Sequence, residues 1–213
     1  MTYIENIFLC LALPMLLSLL FTAGSSRRFT LFAVLGMFFC LLSAYVNSFF
    51  MGRHQADLVM TAIEITPVCE EIMKLLPLLF YFLIFEPDSR DLLPSAIGIS
   101  VGFATFENVC YLTEHGAGSF FLLLIRGMSA GALHLLCGIL TGLALGYVFR
   151  RAWLSVTGTI GILSVCIVLH GIYNLLITAE GPWQTIGYLS PSLLIVLLFV
   201  VRLLHRGRHT IFH

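Results

Sequence analysis

Glu64, Glu70, Glu71 and Lys74 share one apolar stretch of this sequence, Glu107 lies in the next, Arg126 and His134 in a third, and His170 in a fourth. An ionised side chain at mid-bilayer costs about 2.5–3.5 kcal/mol on insertion scales, so residues of this kind mark function unless shown otherwise. Carboxylates and imidazoles brought together can activate water, return a proton to a leaving amine and support an oxyanion, as peptide hydrolysis requires. A glutamate held protonated beside a second carboxylate or a histidine supplies the first two needs. His170 and Asn174, one helical turn apart, could serve the oxyanion.

Glu70 and Glu71 are the candidates for water activation. Adjacent helix positions point about 100° apart, so one faces the water while the other orients it or pairs with Lys74. Glu70 and Lys74 are i,i+4, with the acid on the favoured N-terminal side. Glu107, one turn from Tyr111, is the partner carboxylate or a ligand, and His134 a proton shuttle or ligand. The competing reading of any one of these residues is an interhelical ion pair or hydrogen bond with no catalytic role. Zinc could be held by Glu71, Glu107, His134 and His170. No HExxH occurs, and carboxylates outnumber good zinc ligands, so the preferred reading is a glutamate-activated water that requires no cofactor. Zinc stays open because the four glutamates outnumber Lys74 and Arg126, an excess that a cation, a protonated glutamate or a protonated histidine would relieve. A serine mechanism has only the loose GMSAG echo around Ser129, and Cys69 abuts Glu70 without a sequence-local histidine to activate it.

These residues need helices to position them. The chain has 213 residues, 59% hydrophobic and 10% charged, against roughly 25% charged in an ordinary soluble domain. Lipid is therefore the solvent for most of its exterior, and the zero net charge gives nucleic-acid binding no support. A spanning helix needs about 20 apolar residues. Seven stretches qualify: Ile4–Phe21, Phe29–Met51, Leu58–Phe85, Leu92–Thr113, Ser119–Phe149, Gly158–Thr178 and Thr185–Leu204. The expected fold is an all-α, polytopic transmembrane bundle forming one integral membrane domain over 1–213. Glu70 and His170 each lie 12 residues into their spans, Glu107 and His134 each 15. At 1.5 Å per residue all four reach one layer near mid-depth, where a single pocket could collect them. Pro67 and Pro77 bracket the glutamate pair, and such backbone breaks are tolerated in a membrane where they line a buried or watery cavity.

No basic residue precedes the first span, whereas Arg27 and Arg28 follow it, so it does not read as a cleaved signal peptide. With the N-terminus outside, the inner loops and tail hold Arg27, Arg28, Arg90, Arg150, Arg151, Arg202, Arg206 and Arg208 against Arg53 alone outside. That asymmetry predicts a cytoplasmic C-terminus. Arg126 is read as a structural counter-ion near the outer boundary, and Glu64 as hydrated. His54, His115, His205, His209 and His213 fall in loops or the tail. The six cysteines show no CxxC or CxxH spacing and read as small buried hydrophobes. Gly138, Gly142 and Gly146 repeat at the small-xxx-small spacing that lets helices approach closely.

EEIMK (Glu70–Lys74), FATFENVCY (Phe103–Tyr111), RGMSAGALHLLCG (Arg126–Gly138) and HGIYN (His170–Asn174) resemble, in order, the four blocks of the PrsW intramembrane proteases. The resemblance covers about 64–178. The wider group that includes CAAX prenyl proteases and ABI/bacteriocin-processing proteins has EExxxR, FxxxH and HxxxN. Here Lys74 comes at the shorter spacing and Phe103–Glu107 gives FxxxE, which favours the PrsW branch. The resemblance implies a peptidase, metallo or glutamic in type, of the bacterial cytoplasmic membrane. It implies cleavage of single-pass membrane proteins such as anti-sigma factors. The alternatives are a proton- or ion-coupled transporter using the buried Glu and His, which would require inverted repeats not evident here, and a catalytically silent protein on the same scaffold.

Overall fold

The apolar stretches fold as helices, and the turns between them carry the residues that stop a helix. The computed structural model describes residues 4–116 and 120–210, with side chains described for all of these but 89, 90, 115, 152 and 202–210. The helices are α1 (Ile4–Ser18), α2 (Gly24–His54), α3 (Leu58–Met60), α4 (Thr66–Phe85), α5 (Ser89–His115), α6 (Phe120–Val148), α7 (Ala152–Thr178) and α8 (Pro182–Thr210). A π-helical turn, Thr61–Ile65, joins α3 to α4, so Leu58–Phe85 runs as one helical rod with a defect in it. The predicted start at Ser119 lies outside the described residues, as do His213 and the side chains of Arg90, His115, Arg202, His205, Arg206, Arg208 and His209.

Helix stops follow local chemistry. Gln55 (φ 51°) and Glu86 (φ 43°) close α2 and α4 in left-handed conformation, each donating its N–H back into the last turn. Asp57 caps α3 by accepting from the Met60 N–H at 2.7 Å.

Among the described residues, five helical stretches are long and apolar enough to cross a membrane: Gly24–His54, Asp91–Glu114, Phe120–Val148, Trp153–Thr178 and Pro182–Val201. The two other expected spans differ for separate reasons. α1 stops at Ser18 after 15 residues. α4 is 20 residues long but carries Glu70, Glu71 and Lys74, all buried inside the bundle.

α5 is the hub: 56% of an 18-residue window within Asp91–Glu114 is buried, against 11% of one within Pro182–Val201 of α8. Glycine makes this possible. A Cβ on Gly36 would sit 2.1 Å from the Ile99 carbonyl oxygen, and one on Gly102 would sit 1.9 Å from that of Ala33. α2 and α5 therefore touch backbone to backbone. On the other side Gly138 of α6 lies against Ser100 of α5, where a Cβ would come within 2.1 Å of Oγ. Phe103 and Phe106, fully buried on α5, pack with residues of α1 and α2, and Phe103 also faces Lys74 of α4 and His134 of α6.

Candidate active site

α4, α5, α6 and α7 each deliver polar side chains to one buried cluster. Lys74 donates from Nζ to Glu71 Oε1 at 2.7 Å, and Nζ lies 2.9 Å from His134 Nδ1. An ammonium has only hydrogens to offer, so Nδ1 of His134 accepts and its Nε2 carries the ring proton. That proton faces Glu107 Oε2 at 2.6 Å. Arg126 donates to Glu107 Oε1 at 3.1 Å and to Asn108 Oδ1 at 2.8 Å, with its guanidinium stacked 3.7 Å from the Tyr111 ring. The Glu107–Arg126 pair is partly buried, and Arg126 helps Asn108 and Tyr111 to line a surface cavity of about 220 Å³.

A second arm starts from the same Glu71 oxygen. His170 Nδ1 lies 2.8 Å from Glu71 Oε1, so it donates its N–H there and turns the Nε2 lone pair toward Glu70. Nε2 and Glu70 Oε2 are 3.8 Å apart, too far for a hydrogen bond. Glu70 Oε2 is buried with no hydrogen-bond partner among the described residues. Glu71 is matched by Lys74 and Glu107 by Arg126, which leaves Glu70 as the unmatched acid. A buried carboxylate oxygen without a donor is costly and calls for an explanation.

The π-helical turn explains where Asn174 goes. The Thr66 N–H bonds to Thr61 O, five residues back. The Ala62 carbonyl has therefore lost its i+4 donor, and its i+5 position is Pro67, which has no N–H. Asn174 Nδ2 supplies the missing hydrogen bond to Ala62 O at 2.8 Å. Gly171 lets α7 come this close, since a Cβ there would lie 3.2 Å from Ile63 O. Asn174 thus spends an amide N–H on tying α7 to the turn that leads into Glu70.

Every residue expected from sequence to be functional lies in or beside this cluster. Glu70, Glu71, Lys74, His134, His170 and Asn174 are buried and Glu107 is partly so. Tyr111 supports Arg126 through its ring face, and Glu64 is exposed. Arg126 is a counter-ion, as expected, and its partner is Glu107 of the cluster itself. Sequence reasoning also passed over the buried Ser129–Tyr173 pair, whose hydroxyls are 2.8 Å apart between α6 and α7. The i,i+3 spacing of His170 and Tyr173 was the one signal for it.

Residues 18–204 match the PrsW family intramembrane metalloprotease. The chain belongs to the PrsW family. It is 32% identical over 116 residues to Protease PrsW of Bacillus subtilis (strain 168), covering 52% of this chain and 49% of that protein. The chain thus spans about half the length of the curated relative it matches. No solved structure matches it. With five stretches fit to cross a bilayer, this PrsW-family chain is a multi-pass membrane protein.

The family description implies a metal, and the residues present fit one. Glu70, His134 and His170, all buried, each offer a ligand atom within 4.8 Å of the others. One carboxylate and two imidazoles are a zinc donor set, and the unpartnered Glu70 Oε2 is the kind of atom that a cation satisfies. Glu71 and Glu107, also named from sequence as possible ligands, are in ion pairs with Lys74 and Arg126. His134 has both ring nitrogens engaged, so Glu70 and His170 are the two donors free to bind without rearrangement.

Proposed function

We propose that this chain is an intramembrane endopeptidase that hydrolyses peptide bonds of single-pass membrane proteins, anti-sigma-factor-like substrates among them. The observation that carries the reading is the unpartnered Glu70 Oε2 facing the bare His170 Nε2 across 3.8 Å. Two acceptors at that spacing can share one water, which donates a hydrogen to each and keeps its own lone pair free. Glu70 takes the proton as the water attacks and returns it to the leaving amine. His170 orients the water, and Glu71 holds His170 in the required tautomer by accepting its Nδ1–H. Lys74 pairs with Glu71 at 2.7 Å, in an interior that penalises an unpaired charge. The Arg126–Glu107–His134 chain of hydrogen bonds runs from Lys74 at this centre out to Arg126 at the surface cavity and holds His134 in place.

If zinc is present, Glu70, His134 and His170 would hold it, and it would supply polarisation of the scissile carbonyl and a more acidic water. Asn174 is assigned to positioning, through Ala62, in place of the oxyanion role its spacing suggested. The proposed setting is a bacterial cytoplasmic membrane with the N-terminus outside, the C-terminus cytoplasmic and the Leu58–Phe85 rod crossing inside the bundle.

The test is purified full-length chain in liposomes with a panel of single-pass reporter proteins. Cleavage by wild type and its loss in Glu71→Gln and His170→Ala are expected. Undiminished cleavage in both variants, or ion flux without any proteolysis, would overturn the proposal.

A further inference from the structure

Behind the Glu70–His170 pair lies a second group of ligand atoms that the proposed hydrolysis leaves unused. Cys137 on α6 is three residues beyond His134, and Cys166 on α7 is four before His170. Both are buried. One ligand atom each from Glu71, Cys137 and Cys166 lies within 4.8 Å of the others. The thiols have only weak partners: each is 3.7–3.9 Å from the other's backbone carbonyl oxygen, and Cys166 Sγ is 3.7 Å from Thr141 Oγ1. The hydrogen bonds of Glu71 all fall on Oε1 among the described residues, which leaves Oε2 to act as a ligand. A small cavity with room for about one water opens here, and its polar lining is Glu71, Lys74, Ser100, Cys137, Thr141 and Cys166.

We propose that Glu71, Cys137 and Cys166 form a second cation site, selective for a thiophilic divalent ion such as zinc or cadmium. Two thiolates and a carboxylate with space for a water make a four-coordinate set of the kind zinc accepts. Charge balance favours it inside a membrane. The incoming M²⁺ displaces one proton from each thiol, so two positive charges enter and two leave. The buried cluster keeps its net charge, and the burial penalty that would oppose a bare cation does not grow. Hard cations gain nothing from the sulfurs, which sets the selectivity against magnesium and calcium. Because Glu71 also orients His170, occupancy bears directly on the neighbouring site.

The experiment is a cadmium titration of purified full-length chain in detergent, followed by the thiolate-to-cadmium charge-transfer absorption, which needs no proteolysis and so stands apart from the proposal above. Wild type should show the band at one cadmium per chain. Cys137→Ser and Cys166→Ser should each weaken binding at least tenfold, the low end of what even outer ligand-supporting groups contribute. The double variant should lose the band while Cys10, Cys40, Cys69 and Cys110 remain. Glu70→Gln should leave it intact. Thermal unfolding of the same samples should show a cadmium-dependent rise in wild type and in Glu70→Gln that is smaller in the double cysteine variant. The site is refuted by a band that survives in the double variant, by no band in wild type, or by a thiol count showing Cys137 and Cys166 joined as a disulfide.

Discussion

Replacing Asn174 with Ala removes the one side-chain donor to Ala62 O among the described residues, and the size of the effect can be worked from the backbone. The carbonyl is orphaned by two features acting together: the π-turn diverts the Thr66 N–H to Thr61 O, and Pro67 offers none. A buried acceptor left unsatisfied costs about 1–3 kcal/mol. Asn174→Ala should therefore lower stability by about that amount and loosen the register between His170 and Glu70, reducing kcat more than KM. The distinctive consequence concerns Pro67. Pro67→Ala restores an N–H at the i+5 position, which can serve Ala62 O in place of Asn174. In the Pro67→Ala background, Asn174→Ala should cost at least about 1 kcal/mol less, a coupling that a double-mutant cycle on unfolding midpoints in detergent resolves. Strictly additive penalties would refute the hydrogen-bond account. Wild-type stability with complete loss of cleavage in Asn174→Ala would place Asn174 on the reacting atoms rather than on the turn.

Lys74→Met strands Glu71 in the interior and should destabilise by about 3–5 kcal/mol, whereas Lys74→Met with Glu71→Gln should cost less than Lys74→Met alone, as read by thermal unfolding. Arg126→Lys cannot reproduce contacts to both Glu107 and Asn108 with a stacked face on Tyr111, so its cleavage rate should fall with little loss of expression. Gly102→Leu should force α2 from α5, where even a Cβ would lie 1.9 Å from Ala33 O, and lower stability by at least about 1–3 kcal/mol. In a Cys137→Ser/Cys166→Ser background, zinc at 100 times its Kd should stabilise by about 2.7 kcal/mol, and Glu70→Gln or His170→Ala should abolish that shift in an unfolding assay.

The site was largely legible because a membrane makes charge conspicuous. Glu70, Glu71, Glu107, His134 and His170 stood out against apolar neighbours, and counting residues along each span placed them in one layer. Rotation about the helix axis was harder to read. The i,i+4 rule suggested Glu70 for Lys74, but the lysine reaches the i,i+3 acid Glu71. The 100° between adjacent glutamates thereby leaves Glu70 unpaired. Arg126 was read as a counter-ion without its partner, which lies on another helix, 19 residues away. The π-turn has no period of its own in the sequence, and only Pro67 hinted at it. The helices were easier than their closeness: Gly138 and Gly142 were recognised as packing residues, whereas Gly36 and Gly102, which approach bare backbone on opposing helices at least as closely, were not.

Glu70, the acid whose Oε2 has no partner among the described residues, is the group proposed to handle water. Glu70→Gln removes the charge while its amide can still donate to His170 Nε2, so the fold should be as stable as wild type or more so. The decisive measurement is the single-turnover cleavage rate of a single-pass substrate by folded Glu70→Gln protein. The expected result is a fall of at least 10²-fold, the lower end of general acid–base contributions. Cleavage at the wild-type rate by this variant would contradict it.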